Sequence, residues 1–273
     1  MLEQMNIFII NLESNIDRKE FIQRQLDYLK LNYNFIKAST PQDIKKLYPN
    51  VKNSWQRPLK EVEVACLHSH YRVWQKVINI DKPALILEDD VLISNKLKEI
   101  LNYCKDLKNI DYINLESTGR KKYLNLKNAI LIPNIEYKIY KMYIDRNGAG
   151  GYILYPSGAR KLINKFNTNN LALTDAFIKD GNSMNMYQIY PIALIQQCQA
   201  NIYNLNISFE TVSNISTQPN MKYDSFGVYI KLKINRLKAQ LNQGLKLLKY
   251  FYRSKKVLVP IIKEDFDYIS KDL

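Results

Sequence analysis

Glycine and proline are scarce in this chain, 8 and 9 among 273 residues, which excludes a collagen-like or loop-dominated protein. Cysteine is scarcer still. Cys66, Cys104 and Cys198 are widely spaced, odd in number and in no CxxC pair, so reduced thiols are expected in place of disulfides or a cysteine-rich zinc site. The only two histidines, His68 and His70, lie two apart on a predicted helix and so face different ways; they cannot grip one metal as an i, i+4 pair does. No apolar run approaches the roughly 18 residues of a membrane-spanning helix. The first residues, Met1 to Asn6, lack the basic start and apolar core of a signal peptide, so retention in the cytoplasm is the expectation. Asn206 and Asn214 head Asn-Ile-Ser glycosylation patterns, which carry little weight without a secretory signal.

What is present is an ordinary globular composition, 46% hydrophobic and 24% charged, on a chain long enough to bury a large α/β core. The net charge is +14 in a sequence crowded with Lys, Asn, Ile and Tyr, as codon bias would produce. The distribution of charge says more. Between Asp224 and Glu264 there is no acid, whereas ten Lys and Arg residues fall there. Ile230, Ile234, Leu237, Leu241, Leu245, Leu248 and Tyr252 recur within that stretch at steps of three or four, predicting a basic amphipathic helix. Such a helix suits an anionic membrane surface; the alternative is a helix packed on the body with its lysines in water. Residues 1–222 are therefore expected to form the main domain and 223–273 a basic helical C-terminal region.

Within the main domain, a buried strand over 6–12, a helix carrying Phe21, Ile22, Leu26 and Leu29 on one face, and a strand over 33–38 have the spacing of a βαβ unit. Residues 39–60, with Pro41, Pro49 and Pro58, read as a long loop, and Glu61 to Ile80 as a helix. Residues 117–147 read as basic and irregular, with one or two short strands, and residues 186–196 and 201–209 as late strand or extended segments. The most informative segment is Ala84-Leu85-Ile86-Leu87-Glu88-Asp89-Asp90-Val91, an apolar strand ending in three carboxylates. Three adjacent acids at the end of a core strand repel one another unless a cation neutralises them, and hard oxygen ligands suit Mg²⁺ or Mn²⁺. A solvated acidic turn is the alternative.

Several motifs then occur in a fixed order: Ile9-Ile10-Asn11-Leu12 with Asp17-Arg18; Glu63-Val64-Ala65-Cys66-Leu67-His68-Ser69-His70 with Trp74; the acidic motif; Asp111 to Leu115; Gly148-Ala149-Gly150-Gly151-Tyr152; and Asp175. Over roughly residues 6–200 this series resembles glycosyltransferase family 25, the lipooligosaccharide glycosyltransferases related to collagen galactosyltransferases. Ala65 stands where the family has Gly, and Leu173-Thr174-Asp175 where it has a Pro-x-Asp element.

The resemblance implies a GT-A-like (Rossmann-like) α/β fold with a mixed, mainly parallel sheet flanked by helices. It also implies inverting transfer of a hexose, galactose from UDP-galactose being the expectation, onto a lipooligosaccharide or other surface glycan. Asp90 and Glu88 are then expected to hold the divalent cation, with Asp89 on ribose or a metal-bound water. Asn11, Arg18, Ser69 and His70 are expected at the donor, Gly150 and Gly151 where backbone approaches the sugar, and Asp175 as the catalytic base. The bland readings are a surface charge for Arg18, a structural histidine for His70, a helix-opening acid for Asp175 and a tight turn for the glycines. A catalytically silent glycan- or membrane-binding relative is the alternative function. The charge alone does not argue for nucleic acid, since no recognised binding motif accompanies it. The expected location is cytoplasmic, with peripheral attachment to the inner membrane through the basic tail.

Overall fold

Buried strands and amphipathic helices alternate along the chain, and the computed structural model, which describes residues 4–49, 53–145, 148–167, 171–179, 184–205 and 221–271, joins them around one sheet. Strand β1 (Asn6–Asn11) leads into helix α1 (Ile16–Tyr28), strand β2 (Asn34–Lys37) and helix α2 (Pro41–Leu47). The long helix α3 (Glu61–Ile80) delivers the chain to β3 (Ala84–Glu88), which ends at the acidic motif, followed by β4 (Val91–Ile93) and α4 (Leu97–Cys104). Strands β5 (Tyr112–Asn114), β6 (Lys122–Leu131), β7 (Lys138–Ile144) and β8 (Gly151–Leu154) come next, then helices α5 (Pro156–Lys165) and α6 (Thr174–Lys179). The chain continues through β9 (Met186–Tyr190) and β10 (Leu194–Gln196), a 25-residue helix α7 (Phe226–Tyr250), strand β11 (Lys255–Val257) and a short α8 (Tyr268–Lys271).

Nine strands form the sheet in the order β11-β6-β7-β9-β5-β8-β3-β1-β2. Strand pairing sets six of the nine (β2, β1, β3, β5, β9, β6) in one direction and β8, β7 and β11 against them. This mixed sheet, mainly parallel in strand direction and flanked by helices, is the GT-A-like arrangement the motifs implied. Two apolar clusters fill its two faces, one containing Trp74, Tyr112 and Tyr152 and the other Ile9, Leu87 and Ile113. The strands alternate between these layers, which is why β1 and β3 read as continuous apolar runs.

Two sequence expectations change. Residues 39–60 are not one loop, because Thr40 caps α2: its side chain accepts from the Asp43 backbone N–H and Asp43 answers the Thr40 N–H, with Pro41 at the first helical position. The proline that suggested a loop starts a helix. The one or two short strands expected within 117–147 are β6 and β7, longer than expected and joined as a bulged antiparallel pair. The strand or extended segment expected over 201–209 is instead the end of a 3₁₀ helix, Gln197–Tyr203, capped by Asn204, and residues 206–209, like Asn214, lie outside the described residues.

The basic C-terminal region is helical over α7 and then returns to the body. β11 adds to the sheet beside β6, Ile192 N–H donates to Pro260 O at 2.9 Å, and the Tyr268 hydroxyl donates to Ile93 O at 2.9 Å. The helix itself buries only Leu232. Leu241, Leu248 and Tyr252 are 66%, 75% and 90% exposed, so the apolar ridge read from the sequence points away from the body.

Gln25 ties α1 to the strand that follows the acidic motif. Fully buried, its amide donates to Val91 O at 2.9 Å and accepts from Ile93 N–H at 2.8 Å. Gln25→Leu leaves both backbone groups buried and unpaired, so a loss of about 2 kcal/mol or more is expected in urea unfolding. An unchanged midpoint would show that the tether is dispensable.

Candidate functional site

The acidic motif lies at the carboxyl end of β3, and residues from several elements hold its carboxylates. Arg18, in the first turn of α1, forks across two of them, Nη1 donating to Asp89 Oδ1 at 2.9 Å and Nη2 to Asp90 Oδ2 at 2.7 Å. Asn11, at the end of β1, donates Nδ2–H to Asp89 Oδ2 at 2.7 Å. Glu88 Oε1 faces His70 Nε2 at 3.2 Å, and Glu88 Oε2 accepts from Gln196 Nε2 at 3.1 Å. Gln196 arrives through β10, which pairs antiparallel with β4 so that Gln196 lies opposite Val91.

A buried chain of donors fixes His70. Trp74 Nε1–H can only donate, so the Tyr152 hydroxyl accepts from it at 2.9 Å. Its own proton then goes to His70 Nδ1, 2.8 Å away, leaving Nε2–H aimed at Glu88. Hence His70 is fully buried yet positioned to act on the motif, whereas His68 turns to the Ser39 hydroxyl at 2.8 Å. Ser69 Oγ donates to Ala65 O and accepts from Ser39 N–H, pinning α3 to the chain after β2.

The three acids are tuned apart. Burial would raise Glu88, but the hydrogen bond from His70, with Arg18 and Cys66 adding, holds its carboxyl below the usual value. Asp89 is raised, burial outweighing Arg18 and Asn11. Asp90 is pushed up to about 7, first by burial and then by Glu88. Its Oδ1 is buried without a hydrogen-bond partner. Arg18 pairs only one Asp90 oxygen, so Glu88 and Asp90 present a carboxylate pair with an unused buried oxygen, a donor set that fits a hard divalent cation. A second geometric grouping, Cys66, His70 and Glu88, brings one ligand atom from each within 4.8 Å. It fits a cation less well, since burial and the Glu88 charge hold the Cys66 thiol protonated, and His70 directs a proton toward Glu88.

Two cavities meet at this point. One, of about 400 Å³, is lined by Leu12, Arg18, Pro41, Ser69, Asp89 and Asp90. The other, of about 540 Å³, is lined by Glu63, Arg120, Gly148, Thr174 and Asp175. Glu88, Cys66 and Gln196 belong to both walls. Asp175 opens α6, accepts the Ala176 N–H at 2.7 Å and is raised above its usual value, chiefly by burial.

Gly150 and Gly151 make room for the protein's own side chains. A Cβ on Gly150 would come within 2.7 Å of Gln196, and one on Gly151 within 2.1 Å of Leu194. Gly148, at φ +85°, lies where a side chain would strike Glu116. Sequence reasoning missed Glu116 and Gln196. Glu116 is fully buried, accepts the Gly150 N–H at 2.8 Å and is raised to about 8, first by burial and then by Glu88 against the pull of Lys179 and Lys122. It repeats the signature of Glu88, an acid just after an apolar strand, and that signal was available. Gln196 had none, because its role depends on β10 returning to β4.

A family model described as glycosyltransferase family 25 (LPS biosynthesis protein) matches residues 4–178. The chain is similar to lipooligosaccharide biosynthesis protein lic2B of Haemophilus influenzae, 28% identical over 205 residues, covering 70% of this chain and 76% of that protein. It is also 28% identical over 202 residues to human procollagen galactosyltransferase 2, covering 68% of this chain and 31% of that protein, so it spans about a third of this relative's length. A solved glycosyltransferase involved in glycosylation of the major capsid of PBCV-1 aligns over 59% of this chain and 66% of that one, at 11% identity and a TM-score of 0.32. The fold assignment rests on the sheet topology, not on that alignment.

Glu116 generates a pH prediction. Its folded value of about 8 lies above the ordinary 4.5, so the stability it contributes is present below about 4.5 and is lost as pH rises through 8. The urea midpoint should fall between pH 5.5 and 8.5, and Glu116→Gln should flatten that slope. Parallel slopes in the two proteins would remove Glu116 as the cause.

Proposed function

We propose a specific reaction for this chain, which belongs to glycosyltransferase family 25: inverting transfer of a hexose, galactose from UDP-galactose, onto a saccharide of a lipooligosaccharide or related surface glycan. The observation that carries this reading is the meeting of two cavities at Glu88, one walled by Arg18, Asp89 and Asp90 and the other by Asp175 and Arg120. A transferase needs a donor and an acceptor on opposite sides of one reacting carbon, and two separate spaces sharing a wall supply that.

The cavity with Leu12, Ala38, Pro41 and Val62 on its walls suits a nucleobase, and Asp89 and Asn15 suit the ribose. Glu88 and Asp90 are the residues to hold Mn²⁺ or Mg²⁺, whose charge offsets that of the departing diphosphate. Arg18 restrains Asp89 and Asp90 against their mutual repulsion. On the acceptor side, Asp175 takes the proton of the attacking hydroxyl as the new bond to the anomeric carbon forms and the bond to the diphosphate oxygen breaks. Its raised value makes it a stronger base than an exposed aspartate. His70, through Nε2–H, holds Glu88 ionised and oriented.

The reading adds an anionic membrane surface as a partner of α7. No helix among the described residues is long and apolar enough to cross a bilayer, but α7 carries an outward ridge of Ile234, Leu237, Leu241, Leu245 and Leu248. Lys231, Lys238 and Lys249 flank that ridge at helical spacing. This arrangement supports attachment of the enzyme to the cytoplasmic face, beside a lipid-linked acceptor.

Two outcomes are expected. Asp175→Asn should lower transfer about 10²-fold or more while UDP-galactose binding survives, read by product formation and by titration of the donor with Mn²⁺. Full transfer by the folded variant would reject Asp175 as the base, and no binding of any UDP-sugar would reject the reaction class. In vesicle sedimentation, binding should rise with the fraction of anionic lipid, and Leu241→Asp with Leu248→Asp should abolish it. If sedimentation persists in the double variant, or if wild type forms dimers through α7 instead, the membrane role is lost.

A further inference from the structure

Among the described residues, three line both of the cavities that meet at the acidic motif: Cys66, Glu88 and Gln196. A hexose that leaves a donor on one side for an acceptor on the other lies against this shared strip as it transfers. Two of the three are already engaged. Glu88 is held by His70 and Gln196, while the Cys66 thiol faces Glu88 at 3.8 Å and its sulfur accepts from the Thr174 hydroxyl at 3.2 Å. Gln196 keeps one hydrogen-bonding atom to offer.

Chemistry fixes which way the Gln196 amide points. An ionised carboxylate can only accept, so the 3.1 Å contact with Glu88 Oε2 comes from the amide nitrogen of Gln196. The carbonyl oxygen, Oε1, is then on the other branch of a planar group. It accepts from no residue among those described, and it is not one of the sealed, unpartnered polar atoms of the interior. It is therefore open to the space that Gln196 lines. Holding Glu88 uses only the nitrogen half of this side chain, and the carbonyl half is left over.

The backbone on either side of Gln196 is secured before any substrate arrives. Leu194 N–H donates to Leu115 O at 3.0 Å, β10 sets Gln196 opposite Val91, and Gln197 N–H donates to Asp90 O at 2.8 Å. The glycine at 150 leaves the side chain its place, since a Cβ there would lie 3.0 Å from Gln196 Cγ. A long, flexible side chain is thus held at its root and at its nitrogen. A carbonyl preorganised in this way binds a donor without the usual loss of rotamer freedom.

We infer that Gln196 is a specificity-determining residue: its Oε1 accepts a hydrogen bond from one hydroxyl of the hexose being transferred, while its Nε2 keeps hold of Glu88. This assignment rests on the transfer reaction proposed above, which puts the hexose between the two cavities. The reading of the sugar and the orientation of a carboxylate assigned to the cation then share one side chain. A donor lacking that hydroxyl leaves Oε1 without its partner and binds more weakly, the way a site built to hydrogen-bond a substrate rejects an analogue without the group. Gln199, which lines the acceptor cavity alone, has no such role toward the donor.

The test titrates the full chain calorimetrically, with Mn²⁺ present, using UDP-galactose and its analogues deoxygenated in turn at each free hydroxyl of the hexose. The wild type should bind one analogue at least about fivefold more weakly than UDP-galactose, the net worth of a neutral hydrogen bond. Gln196→Met, close in length but without polar atoms, should bind that analogue and UDP-galactose equally. Looser cation binding in this variant weakens every donor alike and cancels from the comparison. Gln196→Asn keeps the amide but withdraws it by one methylene and should also lose the discrimination, which covers a failure of the methionine variant to fold. Gln199→Met should discriminate as the wild type does. The inference is overturned if the wild type treats all the analogues alike, if the Gln196 variants keep the same penalty, or if Gln199→Met removes it. Failure of the folded wild type to bind UDP-galactose at all rejects the proposed donor instead, so the two readings fail separately.

Discussion

Three consecutive carboxylates at the end of a buried strand are the constraint around which this molecule is organised. Left alone at the edge of the core, Glu88, Asp89 and Asp90 would repel one another and lose hydration. Four elements remote in sequence converge to hold them: β1 through Asn11, α1 through Arg18, α3 through His70 and β10 through Gln196. Each is itself anchored, α1 by the buried Gln25 amide and α3 by the Trp74–Tyr152–His70 relay. The acidic turn is therefore where local structure, packing and charge meet.

The holding is unequal, and chemistry follows from the inequality. His70 keeps Glu88 ionised, whereas Asp90 is left with one unpaired oxygen and a strongly raised proton affinity. A divalent cation held by both would use that unpaired oxygen and the ionised Glu88 together. Glu88 sits in the wall between two cavities, and Asp175, buried and raised, faces one of them. A second buried acid, Glu116, lies under the glycine segment and is shielded from solvent, which suits it to support the wall and not to touch substrate.

The C-terminal part adds a second axis. Its helix buries Leu232 and leaves Ile234, Leu237, Leu241, Leu245 and Leu248 exposed, and the residues after it close back onto the sheet through β11 and Tyr268. One helix thereby carries an exposed apolar ridge and, on its flank, part of the wall of a cavity against the body.

The sequence by itself determined the α/β class, the acid-tipped strand and the order of motifs, because apolar runs, helical spacing and short-range motif chemistry are local properties of the chain. It also determined the periodicity of α7, and missed α2 only because Pro41 was read as a breaker and not as a helix start. What only the tertiary structure decided depends on contacts between distant segments. It turned the ridge of α7 outward, gave Arg18 to Asp89 and Asp90 and His70 to Glu88, and brought Gln196 to the motif from 106 residues beyond Asp90. It also set the glycines at 150 and 151 against Gln196 and Leu194. Periodicity fixes which residues share a face, but which way that face turns is set by the rest of the fold.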